Sequence, residues 1–298
     1  MSKGSFPFRY LGVPLNPCKL RTIDYEQLIN SICDQLKMWR PNTLSYAGRL
    51  EVINSIIQGI LGLWLSIFAI PTVVLQRLVY LCRNFLWQGK PPPVAWSKVC
   101  LPKGEGGLRV KNLSTWNFAF LCKYIWFLQD EKETLWTKWI HTHYLQDRNM
   151  ITFRPTHDTS HFLKKICKLF DFLALAQGSR EQAVILVKSW VMDRGFSTQK
   201  AYNFFREKAP KWKPHKVVWV LNRTKRHSFL LWLTLRRRLY TRDRLRFMEG
   251  PKQCMLCKRE EETHEHLFFE CDRTNNIWQP LRKWLGIARD RLRFHYSL

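Results

Sequence analysis

The chain has 298 residues, 46% of them apolar and 14% aromatic, which is enough to bury a core and excludes a disordered tail. Lys and Arg number 49 against 23 Asp and Glu, a net charge of +26 that favours a polyanionic partner, nucleic acid first and acidic membrane second. The nine cysteines are odd in number and mostly isolated, which argues against a secreted disulfide scaffold and for a reducing compartment, nucleus or cytoplasm. The opening MSKGSFPFRY lacks the apolar run of a signal peptide, so secretion is not expected.

The first region reads as helix. Ile23 to Trp39 places Leu28, Ile29, Ile32 and Leu36 near helical period, and Pro41 stops it. Leu44 to Ile70 is a second helical stretch, bent at Gly59 and Gly62. It has no charge after Glu51 and is about long enough to span a bilayer. Asn54, Ser55, Gln58, Ser66 and the two glycines favour a buried core helix instead, so a membrane partner is not expected. Val73 to Trp87 carries Leu75, Leu78, Val79, Cys82, Phe85 and Leu86 on one face. Three prolines at 91–93 break the chain, Gly104 to Gly107 makes a turn, and Leu113 to Phe127 is a fourth helix rich in Trp and Phe.

Residues 145–190 read as a connector with one amphipathic helix around Phe162 to Ala176. Ser197 offers an N-cap for a helix through Phe205. Lys208 to Lys216 is a basic loop around two prolines, and Val217 to Leu221 is a short strand or the start of a helix. Phe229 to Leu239 reads as a helix with Leu231, Leu235 and Leu239 stacked along one side.

The sharpest chemical signal is Cys254, Cys257, His266 and Cys271, with spacing C-x2-C-x8-H-x4-C. A CxxC knuckle supplies two thiolates from one tight turn, and a second arm brings the other two ligands of a tetrahedral zinc. All four positions are then filled by protein, which makes the site structural rather than catalytic. His264 is the rival for the histidine. His266 is preferred because its x4 spacing to Cys271 suits one face of a short helix. Leu267, Phe268 and Phe269 would supply the small core of such a module. Acidic residues leave residues 249–298 at net +1, so the metal site itself is not expected to touch phosphate.

Residues 206–248, just before it, hold 14 basic and 2 acidic residues, net +12. The candidate nucleic-acid contacts are Lys211, Lys213, Lys216, Arg223, Lys225, Arg226, Arg236, Arg237, Arg238, Arg242, Arg244 and Arg246, interleaved with Trp212, Trp219 and His227. Cations among aromatics suit a phosphate backbone with unstacked bases, although a solvated basic face over buried aromatics has the same composition. On one continuous helix Arg238, Arg242 and Arg246 would share a face. Thr241 offers an N-cap that would break that stripe.

Arg9-Tyr-Leu-Gly-Val-Pro-Leu15, Trp39, Leu44-Ser-Tyr-Ala-Gly-Arg49, Phe85-Leu-Trp-Gln-Gly89, Trp96 with Cys100-Leu-Pro-Lys103, Gly106-Gly-Leu108 and Trp116-Asn117 form an ordered series. It resembles the region after the catalytic palm in plant LINE-type (non-LTR) retrotransposon reverse transcriptases. Phe229 to Trp232, Arg238 to Leu245 and the Cys254, Cys257, His266, Cys271 set resemble the zinc-binding domain that follows in those polyproteins. The resemblance covers most of residues 8–285.

It implies a mainly α fold, with a thumb-like helical region at 1–140, a connector at 141–195, a small zinc-stabilised α-rich domain at 196–285 and a basic tail at 286–298. The family's polymerase needs an Asp-Asp pair to hold two metal ions, and this sequence has no adjacent aspartates. The expectation is therefore a non-catalytic fragment that carries structural zinc, takes no small-molecule substrate and grips nucleic acid, RNA ahead of DNA. The alternatives are a zinc-stabilised protein-interaction or scaffold module, docking through the Trp-rich helices at 113–139, and a retroelement remnant without function.

Overall fold

A computed structural model describes residues 8–10, 12–16, 19–39, 43–130, 133–146, 148–193, 195–220, 223–245 and 250–286. Pro41, Leu221, Arg246 and all but the first residue of the predicted basic tail lie outside the described residues. The fold is mainly helical, and the chain divides into two compact units. One comprises residues 1–90 and 96–211, the other residues 91–95 and 212–298.

The larger unit opens with a short antiparallel pair, β1 (Phe8–Tyr10) and β2 (Val13–Leu15), in the register Phe8 to Leu15. A 3-10 turn, Thr22–Tyr25, leads into α1 (Glu26–Met38), whose inner face is Leu28, Ile29, Ile32 and Leu36 as the periodicity predicts. Ser45 caps α2 (Tyr46–Ile56) by accepting the Gly48 N–H. The helix then widens into a π-turn over Ile57–Leu61 before α3 (Gly62–Ile67), so the expected bend at the glycines is a wide turn. Tyr46–Ile67 is the one stretch among the described residues long and apolar enough to cross a membrane, with mean hydropathy 1.6, and 41% of that window is buried. Buried Arg49 donates to the carbonyls of Leu86 (2.6 Å) and Leu44 (3.2 Å) and lies 4.4 Å over the Tyr46 ring. It thereby ties α2 to the end of α4 (Thr72–Trp87).

After α4 come α5 (Trp96–Cys100) and a tight turn at Lys103–Glu105, followed by α6 (Leu113–Gln129). Residues on nearly every side of α6 are buried, as suits the central helix of a core. Its Asn117, 2% exposed, accepts from the Ile70 N–H and donates to the carbonyls of Leu65 and Phe68. Beyond it lie α7 (Leu135–Ile140), α8 (His161–Gln177), α9 (Arg180–Ser189), the hairpin β3 (Val191–Met192) and β4 (Gly195–Phe196), and α10 (Thr198–Phe205). Helices α8, α9 and α10 pack on α6. The segment read as a connector at 141–195 therefore contributes Leu163, Ile166, Phe170, Leu173, Ala183 and Val187 to the main core. Ser197 caps α10 as expected, accepting from the Lys200 N–H.

The smaller unit contains α11 (His215–Val218), α12 (Lys225–Leu235) and α13 (Asp272–Leu285). Val217 and Val218 thus close a short helix, and Trp219 and Val220 follow it without forming a strand. Pro91 belongs here because the Tyr240 hydroxyl donates to its carbonyl at 2.6 Å. The buried face of α12 is Phe229, Trp232 and Leu233; Leu231, Leu235 and Leu239 are only partly buried. The predicted continuous helix to Leu239 stops at Leu235, because Arg237 turns to the left-handed conformation at φ 51°. The chain then makes a separate turn at Thr241, whose carbonyl accepts the N–H groups of Arg244 and Leu245. Arg238 and Arg242 therefore do not share a helix face.

Candidate metal centre and basic surface

The CxxC knuckle sits at the tip of a short hairpin. Cys254 N–H donates to the Glu260 carbonyl at 2.7 Å, Lys258 N–H donates to the Cys254 carbonyl at 2.8 Å, and Gln253 bridges Glu261. Lys258 closes the turn at φ 59°, a conformation that favours glycine. The tight turn aims backbone N–H groups at sulfur. Those of Glu260 and Arg259, with His266 and Cys254 adding, bring the Cys257 thiol down to about 6. A lowered thiol pKa favours the thiolate, the form a metal requires. Burial pushes the Cys254 thiol up.

Glu262 locks the knuckle in place. Its buried carboxylate accepts the Met255 N–H at 3.1 Å and the Arg242 N–H at 3.2 Å. The second arm begins at Thr263, whose hydroxyl accepts the His266 N–H. Residues His266–Glu270 then form a π-turn closed by the Cys271 N–H on the His266 carbonyl at 2.8 Å. His266 and Cys271 do not share the single α-helix face expected of them. Five residues of α-helix would carry the two side chains about 140° apart, and the wider π-turn brings them back together. Cys271 also stands at the N-terminal end of α13, so that helix fixes the position of its sulfur.

One ligand atom from each of Cys254, Cys257, His266 and Cys271 lies within 4.8 Å of all the others. Cys254 Sγ is 4.0 Å from Cys271 Sγ, and Cys257 Sγ is 3.3 Å from His266 Nε2. The edges of a tetrahedral zinc site with these donors are about 3.6–3.8 Å. Three sulfurs and an imidazole at this spacing fit one tetrahedral ion with all positions filled by protein. Glu260 Oε2 lies 3.0 Å from His266 Nδ1, out of line for a hydrogen bond. His264 takes no part in the cluster. Its Nε2 donates to the Thr234 carbonyl at 2.8 Å, its ring packs edge-on to Phe268, and burial lowers its pKa. Leu267, Phe268 and Phe269 are half-buried, and Phe268 accepts from the Trp278 indole.

Residues 196–278 match the family described as zinc-binding in reverse transcriptase. Over that stretch the chain is related to reverse-transcriptase proteins. It is also similar to a putative ribonuclease H protein of Arabidopsis thaliana, 34% identical over a 130-residue alignment that covers 42% of this chain. The match covers 21% of that relative, so the chain spans about a fifth of its length.

The predicted cationic residues divide into two groups. Arg236 is half-buried, its guanidinium 5.4 Å from the Trp212 ring and 5.5 Å from that of Trp232. Arg242 donates to the carbonyls of Pro251 and Gln253, Arg237 pairs with Glu265 at 2.7 Å, and Arg223 donates to the Val217 carbonyl. These four serve the fold. Lys213, Lys216, Lys225, Arg226, Arg238 and Arg244 are exposed on the smaller unit, as is Lys211 at the end of the larger one. Arg246 lies outside the described residues. What the sequence did not reveal was Glu262 as the anchor of the knuckle, since a lone glutamate carries no motif.

Proposed function

We propose that the smaller unit is a zinc-stabilised nucleic-acid-binding module from retrotransposon reverse-transcriptase machinery of the plant LINE type. In this reading Cys254, Cys257, His266 and Cys271 hold one structural zinc, and Lys213, Lys216, Arg226, Arg238 and Arg244 grip the backbone of a strand, RNA ahead of DNA. The thumb-like role belongs to the helices of residues 1–140, the setting is intracellular, and these 298 residues do not polymerise. The observation that carries the reading is the convergence of the four ligand atoms within 4.8 Å beside a segment of net +12. The absence of an adjacent Asp-Asp pair from these residues supports the non-catalytic part.

Titration of the full chain with single-stranded RNA at two salt concentrations tests it. Five phosphate contacts release enough counterions to weaken binding about a hundredfold between 50 and 200 mM salt. Arg238→Glu with Arg244→Glu lowers affinity without changing sequence preference. A flat salt response, or binding unmoved by charge reversal, overturns the reading.

A second reading, a protein-docking module, is favoured by α13. No residue of that helix is buried, and Ile277, Leu281, Trp284 and Leu285 are exposed along one side. Leu281→Asp with Trp284→Asp would then abolish association with a protein while leaving RNA affinity unchanged.

A further inference from the structure

The larger unit contains a cleft of about 840 Å³ between the start of α1, the end of α3, the turn after α7 and the first turn of α8. Nothing in the metal centre or the basic segment uses it. Its volume lies in the range of sites for small organic ligands.

Three observations define what would fill it. First, Tyr25 lines the cleft, is 3% exposed, and has no hydrogen-bond partner for its hydroxyl among the described residues. The ring is buried against Trp64 and Phe68, and the hydroxyl on the cleft wall can donate to an acceptor there. Burial, with Asp24 adding, pushes this phenol up to about 12, so it stays protonated. Second, Lys19, Lys164 and Lys165 line the cleft against a single carboxylate, Asp158. Lys19 and Lys165 make no hydrogen bond or ion pair among the described residues, while Lys164 donates to the His157 carbonyl. Third, one wall is aromatic. Trp139, 44% exposed, packs edge-on to Tyr144 and has the His143 ring tilted against it, each with ring centres 5.3 Å apart, and its remaining exposed surface is open to a planar group.

We infer that this cleft binds a nucleotide, its phosphate on Lys19, Lys164 and Lys165, its base against Trp139 and Tyr144, and an acceptor oxygen on the Tyr25 hydroxyl. Lysine ammoniums recognise phosphate as point charges, and an exposed indole stacks any base. The same chemistry is offered by a free mononucleotide and by one unit of a single strand. The second source rests on the proposed nucleic-acid function, to which it adds a base-binding contact remote in sequence from the basic segment.

The test uses the full chain and two probes, a fluorescent adenosine triphosphate analogue and a labelled single-stranded oligouridylate. Both are titrated against wild type, Tyr25→Phe, Lys165→Glu and Arg238→Glu, with thermal melting as the folding control. Tyr25→Phe removes one oxygen and Lys165→Glu changes an exposed side chain, so both variants keep the wild-type melting temperature. Loss of one hydrogen bond weakens binding about threefold to tenfold, and reversal of one lysine about tenfold. If both cleft variants weaken the mononucleotide and Arg238→Glu does not, the cleft is a free-nucleotide site. If only the oligonucleotide binds and both cleft variants weaken it, the cleft holds one unit of a strand. If the cleft variants change neither titration while Arg238→Glu weakens the oligonucleotide, this inference falls and the basic-surface function stands. If wild type binds neither probe, both fall. Inorganic phosphate competing as well as the nucleotide would overturn the aromatic part of the assignment.

Discussion

Replacing Glu262 by alanine tests whether the knuckle is held from outside its own four ligands. The wild-type carboxylate is 8% exposed and accepts two backbone N–H groups, from Met255 at 3.1 Å and Arg242 at 3.2 Å. A hydrogen bond to a charged group contributes about 1.5–3 kcal/mol, which sets an upper figure of about 3–6 kcal/mol for the pair. Water entering the space left by the side chain recovers part of this, so the expected loss is about 2–4 kcal/mol. For a unit of this size that is a fall in melting temperature of at least about 8 °C. The knuckle loses its tie to the Thr241 turn, and supporting groups of this kind change metal affinity by about 10–100-fold. Glu262→Gln falls between wild type and Glu262→Ala, because its amide keeps one acceptor oxygen and turns a donor toward the other N–H. Thermal melting and zinc competition against a chromophoric chelator measure the two effects. A Glu262→Ala chain that melts and binds zinc like wild type would show that the knuckle is held without this carboxylate.

Three further outcomes are expected in the larger unit. Asn117→Leu strands the carbonyls of Leu65 and Phe68 and the Ile70 N–H in the core, and urea unfolding should show a loss of about 2–4 kcal/mol. Gly107→Ala should fail to yield a stable fold by circular dichroism, because its Cβ would stand 2.0 Å from the Leu101 carbonyl oxygen, a backbone atom. Glu105 is held below the usual carboxylate range first by its hydrogen bond to Arg206 and then by the Ala209 N–H. Its contribution is complete above the unfolded value of about 4.3 and is lost as pH falls through the lowered folded value, so Glu105→Gln should flatten the acid limb of stability against pH.

Local signals were the legible ones. Ser197 could be placed as a cap because capping involves only the next three residues, and its hydroxyl does accept the Lys200 N–H. The four candidate ligands followed from spacing, since a knuckle and an arm must both be short to meet at one ion. The π-turn that joins His266 to Cys271 was not legible, because no composition marks it. The fate of the arginines was hidden for another reason. Arg236 and Arg238 are two residues apart, yet one guanidinium lies over Trp212 and Trp232 while the other side chain is exposed. That choice is made by contacts distant in sequence. Residues 145–190 read as a connector because α9 buries only Ala183 and Val187, too few to raise a helical period. The assignment of Pro91–Ala95 to the smaller unit depends on partners such as Tyr240, more than a hundred residues away.

Cobalt(II) titration of the full chain shows whether Cys254, Cys257, His266 and Cys271 close around one tetrahedral ion. Saturation is expected at one equivalent, with the intense visible bands of a tetrahedral centre and thiolate-to-metal charge transfer. His266→Ala should alter that spectrum and His264→Gln should leave it in place, since His264 Nε2 is already committed to the Thr234 carbonyl. Weak octahedral bands, or a wild-type spectrum from a Cys257→Ala chain, would rule out a single centre held by these four residues.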